Sequence, residues 1–176
     1  MEKEIHIRKV SHDDLYQLQQ IARQTFFETF AEVNTEEDLK KYLEKAFAIE
    51  KLTAELDDHN SQFYFAEYNS IIIGYLKVNF GSSQTELKDH KALEIERIYV
   101  LKEFHGQEIG QMLYEKAIHI AKMAKAEYVW LGVWGENARA ISFYKKNGFR
   151  EFDTHIFMMG DKEQTDLLMK VPLESK

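Results

Sequence analysis

The chain has 176 residues, 44% hydrophobic and 13% aromatic, which suits one domain with a full core and excludes a disordered tail or a coiled-coil rod. Lys and Arg number 23 against 30 Asp and Glu, a net charge of -7, which is far from the basic footprint of a nucleic-acid binder and weakly favours cationic partners. With no cysteine there is no disulfide, thiolate metal site or acyl-cysteine relay, which fits a reducing compartment. The charged start Met1-Glu2-Lys3-Glu4-Ile5-His6 lacks the apolar run of a signal peptide, and no segment approaches the roughly 18 apolar residues of a membrane span. The expectation is a soluble cytoplasmic protein with one domain over 1–176 and no nucleic-acid or membrane partner.

Ile5 and Ile7 alternate as a first strand would, and Ser11-His12-Asp13-Asp14 has the spacing of a capping box that opens a helix carrying Leu15, Leu18, Ile21, Ala22 and Phe26. A second cap at Asn34 or Thr35 precedes Leu39, Tyr42, Leu43, Ala46 and Phe47, and a short amphipathic piece follows through Leu52 and Leu56. Phe63 to Tyr68, a turn at Asn69-Ser70, and Ile71 to Phe80 read as a hairpin. After a polar loop over 81–91, Leu93 to Val100 alternates. Glu94, Glu96, Ile98 and Val100 then share one face, and Ile95, Arg97 and Tyr99 the other.

A helix follows from near Gly106, with Ile109, Met112, Leu113, Ala117, Ile120, Ala121 and Ala124 as its buried face, and leads to the apolar strand Tyr128 to Val133. Strand, helix and apolar strand together make a right-handed parallel βαβ unit. Ala138 to Asn147 forms one more helix, stopped by Gly148. Two final strands, near His155 to Met159 and Leu167 to Val171, flank a turn at Gly160-Asp161-Lys162-Glu163. The class is α/β, a mixed sheet flanked by helices.

Two places carry chemistry. At His105-Gly106-Gln107-Glu108-Ile109-Gly110 a glycine-bearing strand-to-helix junction offers unpaired N–H groups to an anion, although an ordinary helix start reads the same way. No Gly-Lys-Ser/Thr follows, so it is no Walker loop, and the Gly-x-Gly-x-x-Gly of a dinucleotide fold is absent. In the second place Asn137 caps a helix and Tyr144 lies two turns on along the same face, where periodicity alone favours an aromatic anchor. The 7 histidines never fall in a close ligand pair, so no metal is expected.

Leu93 to Val100 with its glycine junction, followed by Asn137-x-x-Ala140-Ile141-x-Phe143-Tyr144-x-x-x-Gly148-Phe149, resembles the paired motifs of the Gcn5-related N-acetyltransferases (GNAT). Thr25 to Phe30, Tyr42 to Phe47, Trp130 to Trp134 and Met159 to Asp166 extend the likeness over nearly the whole chain to the PaiA-type spermine/spermidine acetyltransferases. This resemblance implies the GNAT fold, with splayed parallel strands holding acetyl-CoA as co-substrate. The pyrophosphate would lie on the N–H groups of His105, Gly106, Gln107, Glu108, Ile109, Gly110 and Gln111. The pantetheine arm would lie along the backbone of Ile98, Tyr99 and Val100, with Asn137, Tyr144 and Lys146 on the other side. The chain departs from the family at His105, where Gln or Arg is usual, and at Glu108, in place of a second glycine.

The resemblance further implies Glu94 as the base that deprotonates an ammonium group, with Glu96 second, and Tyr144 as the acid that protonates the CoA sulfur. For either glutamate the alternative is an ion pair with Arg97 or a lysine. The acidic run Glu28, Glu32, Glu36, Glu37 and Asp38 would attract a polyamine, with Glu28 as the substrate-binding candidate, although such a run also reads as a solvated helix face. The function expected is direct acetyl transfer to a primary amine, a polyamine first. Other readings are another small amine, a peptide N-terminus, or a CoA-sensing regulator acting indirectly on sporulation and degradative-enzyme production. The family's habit of dimerising adds a homodimer, with Trp134 or the last strands at its interface.

Overall fold

Ile5 and Ile7 build β1 (Ile5–Lys9) in the computed structural model, which describes residues 4–174. The chain then follows the order α1 (Leu15–Phe30), α2 (Glu36–Ala46), α3 (Ile49–Asp57), β2 (Ser61–Tyr68), β3 (Ile71–Phe80), β4 (Ala92–Val100), α4 (Ile109–Met123), β5 (Tyr128–Trp134), α5 (Ala138–Lys146), β6 (Arg150–Met159) and β7 (Lys162–Pro172). One seven-stranded sheet runs β1-β2-β3-β4-β5-β7-β6, and within it β4 and β5 are parallel while the other neighbours are antiparallel. This is the mixed α/β architecture expected.

Local chemistry explains the joints. The Asp14 carboxylate accepts the Ser11 N–H at 2.9 Å and receives the Arg8 guanidinium at 2.9 and 3.0 Å, so the turn before α1 is tied back to β1. Thr35, rather than Asn34, caps α2 by accepting from the Asp38 N–H at 3.1 Å, and the Asn34 amide donates to the Phe30 carbonyl instead. Asn69 and Ser70 take φ of 49° and 64°, the left-handed pair that matches a two-residue hairpin to strand twist. The last hairpin is longer than the alternation suggests, because a register shift between Glu151 and Asp153 interrupts the period of two. At its turn Gly160 takes φ 62°, the left-handed region that favours glycine, and it lies against the Asp38 carboxylate of α2.

The sheet has two apolar faces. Ile109, Leu113, Tyr114, Ala117 and Ala121 of α4 cover Leu76, Leu93, Ile95, Val129 and Leu131. Met112 and Ile120 are only half-buried, and Ala124 is exposed because the helix has ended. On the opposite face α1 to α3 pack Leu18, Phe26, Phe30, Leu39 and Leu52 onto Phe63, Phe65 and Tyr75. Among the described residues none of α1 to α5 packs on Trp130 there. The loop 81–91 lies over it instead, with the Trp130 indole N–H donating to Gln84 Oε1 at 2.7 Å.

A bulge corrects the expected faces of β4. Lys77 pairs with Arg97 but Val78 pairs with Ile95, so Glu96 is the extra residue. Ile98 and Val100 therefore turn to the α4 side with Ile95, while Arg97 and Tyr99 face α1 to α3. Glu94 and Glu96 stay neighbours across the bulge, and both accept from the Asn79 amide, at 2.9 and 3.0 Å.

Arg8 hydrogen bonding holds the Asp14 carboxyl down at about 2, below its ordinary 3.8. A carboxylate held low in the folded state stabilises above its unfolded value and stops doing so as pH falls through about 2. Asp14→Asn should cost about 1–2 kcal/mol at pH 7, as loss of a cap and a charge-assisted bond. Thermal unfolding checks this, and the gap between variant and parent should close toward pH 2.

Candidate active site

Parallel pairing between β4 and β5 covers only Ala92–Ile95 against Tyr128–Leu131. Beyond it β4 stays with β3 as far as Val100 against Gly74, and β5 stays with β7 as far as Trp134 against Asp166. The two strands thus part, and a cleft of about 1490 Å³ opens between them. Gly74 allows the close approach on the β3 side, where a Cβ would sit 2.7 Å from the Tyr99 carbonyl.

One end of the cleft is the start of α4. The helical ladder begins with the Met112 N–H on the Glu108 carbonyl at 3.1 Å, so the N–H groups of Ile109, Gly110 and Gln111 have no partner within the helix. Gly106 needs its φ of 80°, and a Cβ at Gly106 or Gly110 would meet nothing within 4 Å, so the backbone there faces open space. Glu108 takes φ 63° without being glycine, a strained left-handed position at the helix cap. Gln111 and Asn147 exchange side-chain hydrogen bonds at 3.0 and 3.2 Å and lock α4 to α5.

His105 bonds the Val100 carbonyl through Nε2 at 2.8 Å, while its Nδ1 lies 2.9 Å from Arg139 Nη1. A carbonyl only accepts and a guanidinium only donates, so the ring is neutral with its proton on Nε2. Desolvation lowers the affinity of His105 for a second proton, against the Val100 hydrogen bond, and the nearby Arg139 lowers it further. His105 is therefore no cationic phosphate ligand.

The middle of the cleft is lined by Ile98, Tyr99, Val100, Trp134, Asn137, Tyr144 and Lys146. Asn137 caps α5 by accepting from the Ala140 N–H at 3.1 Å. Tyr144 is 7% exposed, with its ring edge-on to Phe143 and Phe149, and burial keeps its phenol protonated well above the usual range. The aromatic-anchor role and a place on the cleft wall thus coincide.

The far end holds charge. Glu94, 2% exposed, accepts the Thr85 N–H at 2.8 Å, the Thr85 hydroxyl at 2.5 Å and the Asn79 amide. Burial raises its carboxyl, and the Thr85 and Asn79 bonds only partly offset this. Glu96 behaves oppositely. Burial would raise it, but Arg97 and Lys77 win and hold it at about 2. Lys77 Nζ lies 2.9 Å from Glu96 and 2.5 Å from Glu55 of α3, and Arg97 binds the same two carboxylates at 2.9 and 3.0 Å. The ion-pair alternative therefore describes Glu96, not Glu94.

Of the catalytic and coenzyme-binding candidates, all but Gln107 line the cleft. Glu28 lines it and accepts the Lys102 N–H at 3.1 Å, but Glu32, Glu36, Glu37 and Asp38 do not. The other carboxylates of the lining lie far apart in the chain, Glu55, Glu86, Glu94, Glu96 and Asp166 together with Asp58, Glu108 and Glu136. Glu86 contacts the His155 ring at Nδ1, and burial raises the Asp166 carboxyl. Asp166 closes the run that carried the family likeness, while Arg139 had no signal beyond its place in the α5 motif. Among the described residues no group of three or more His, Asp or Glu is placed to hold a metal, and no helix is long and apolar enough to cross a membrane.

Comparison with known proteins agrees with this geometry. The model of the acetyltransferase (GNAT) family matches residues 15–149. An uncharacterised N-acetyltransferase of Lactobacillus delbrueckii subsp. lactis is 39% identical, over 96% of this chain and 98% of its own. The spermidine N(1)-acetyltransferase of Thermoplasma acidophilum is 29% identical over 97% and 99%. The crystal structure of the PaiA N-acetyltransferase from Thermoplasma acidophilum, in complex with coenzyme A, superposes with a TM-score of 0.81 at 28% identity, covering 97% of this chain and 99% of that one. Parted parallel strands, the open helix start and these matches together make the chain a member of the GNAT family, an N-acetyltransferase.

Proposed function

We propose that the protein moves the acetyl group of acetyl-CoA directly to a primary amine of a polyamine. The observation that carries the polyamine reading is the acidic wall of the cleft, where Glu55 and Glu96 are paired with Lys77 and Arg97 while Glu86, Glu94 and Asp166 have no Lys or Arg partner among the described residues, so that these five carboxylates outnumber Lys51, Lys77 and Arg97 beside them. The spermidine acetyltransferase relative adds support.

The residues present fit coenzyme A. Gly106 and Gly110 leave open the space that a Cβ would fill, the unpartnered N–H groups of Ile109, Gly110 and Gln111 suit a pyrophosphate, and the parted strands suit an extended arm. Backbone groups of Ile98, Tyr99 and Val100 would hold the arm, with the Val100 carbonyl already engaged by His105. Asn137 would meet it from α5, and Lys146 extends the same wall. When bound, acetyl-CoA supplies an acetyl group activated as a thioester.

The acceptor arrives protonated, since an alkyl ammonium has a pKa of about 10.4, and must lose that proton before it can attack. Glu94 is suited to take it, directly or through water. Its Oε1 is filled by two donors, but Oε2 receives only Thr85 and keeps a lone pair. Its raised carboxyl also makes it a better base than an ordinary carboxylate. Glu96, held at about 2 by its cations, shapes the field rather than moving the proton. Tyr144, kept protonated by burial, gives its proton to the departing sulfur, and a backbone N–H near Tyr99 stabilises charge on the carbonyl oxygen. With no cysteine to hold the acetyl group, positioning both reactants in one cleft does much of the work.

Two expectations follow. Tyr144→Phe should lower kcat about 100-fold with the dissociation constant for acetyl-CoA nearly unchanged, and Glu94→Gln should do likewise. In the parent, kcat/KM should fall as pH drops through a carboxyl above the ordinary range, and this limb should vanish in Glu94→Gln. Full activity in either variant removes that residue from the mechanism. Spermidine should also exceed a simple alkyl monoamine in kcat/KM by about tenfold or more at low salt, with the gap narrowing in Asp166→Asn. Equal rates for both amines, or preference for a peptide N-terminus, would reject the polyamine.

A further inference from the structure

Arg139 stands where an arginine is hard to explain by folding alone. It lies in the first turn of α5, where the helix dipole disfavours a cation, it is exposed, and among the described residues it forms no ion pair. Its side chain is nevertheless held. One guanidinium N–H is spent on the Nδ1 lone pair of His105, and His105 is fixed in turn by the Val100 carbonyl at the last residue of β4.

The relay works only with the ring in its neutral form, since a proton on Nδ1 would set N–H against N–H. The imidazole thus acts as a bracket for the guanidinium and brings no charge of its own. With one of five N–H donors used, four remain for an anion. Arg139 and His105 line the same cleft as Gly106 and Gly110 at the start of α4, so the guanidinium faces the end where the helix leaves N–H groups without partners.

We infer that Arg139, positioned by His105, is a phosphate ligand of coenzyme A and adds from α5 a held cation to the β4–α4 junction, where Lys102 also lines the cleft. The inference rests on the acetyl-CoA reading given above. It also gives His105 a duty that its own charge could not perform. Arg139 binds, and His105 is a positioning residue.

The test is calorimetric binding of CoA, 3′-dephospho-CoA and pantetheine, which lacks the phosphates, to the parent and its variants. Arg139→Gln should weaken CoA about tenfold or more, in the range of a lost charge-assisted contact, and leave pantetheine unchanged. Loss with CoA and dephospho-CoA alike assigns Arg139 to the pyrophosphate, and loss with CoA alone assigns it to the 3′-phosphate. His105→Leu should weaken the same phosphate-bearing ligands. His105→Gln, whose amide can both donate and accept, should restore much of the loss. Adding His105→Leu to Arg139→Gln should cost nothing further.

CoA affinity unchanged in Arg139→Gln overturns the inference, as does an equal loss for CoA and pantetheine. Additive effects in the double variant would remove the positioning role. If the parent binds pantetheine and CoA equally, or binds neither, the coenzyme A reading itself fails and the inference falls with it.

Discussion

The site depends on the early end of the pairing between β4 and β5. The two strands run parallel for only four residue pairs, Ala92 to Ile95 against Tyr128 to Leu131, beyond which β4 continues along β3 alone and β5 along β7 alone. Continued pairing would satisfy the backbone groups that face the gap. Leaving such groups dry and unpaired would cost roughly 1–3 kcal/mol each, so the opening is stable only where water or an extended ligand can reach them. The bulge at Glu96 belongs to the same break in regularity. It turns Ile98 and Val100 onto the α4 face and leaves Arg97 and Tyr99 for the helices opposite.

From that opening the chemistry divides along the cleft. At the α4 end there are backbone donors and open space at two glycines. At the other end two neighbouring glutamates share the Asn79 amide yet are driven in opposite directions, Glu94 upward by burial and Glu96 down by Lys77 and Arg97. Divergence of two adjacent titratable groups separates a proton acceptor from a fixed charge. Burial of the Lys77, Glu55, Glu96 and Arg97 cluster also braces α3 against β3 and β4, so the acceptor end of the cleft is part of the packing.

Much of the framework was legible in the sequence because it rests on short-range periodicity. The helix at Ile109, the apolar strand at Tyr128 and the hairpin turn at Asn69-Ser70 all follow from spacing and turn chemistry. The bulge at Glu96 was not, since an extra residue in one strand is defined only by its partner. The acidic helix run pointed to the wrong carboxylates, because only Glu28 faces the cleft and the rest are gathered from α3, a loop, β4 and β7. Arg139 and the state of His105 were equally hidden, since both depend on a contact across 34 residues of chain.

The most direct test of the account is release of free thiol from acetyl-CoA on mixing with spermidine, followed with a thiol reagent; the chain has no cysteine to add background. The account predicts release that depends on both protein and spermidine, one thiol for each acetyl group found on the amine. CoA binding in the cleft with no thiol release on any amine would contradict it, and would leave the cleft a binding site without the proton transfers assigned to Glu94 and Tyr144.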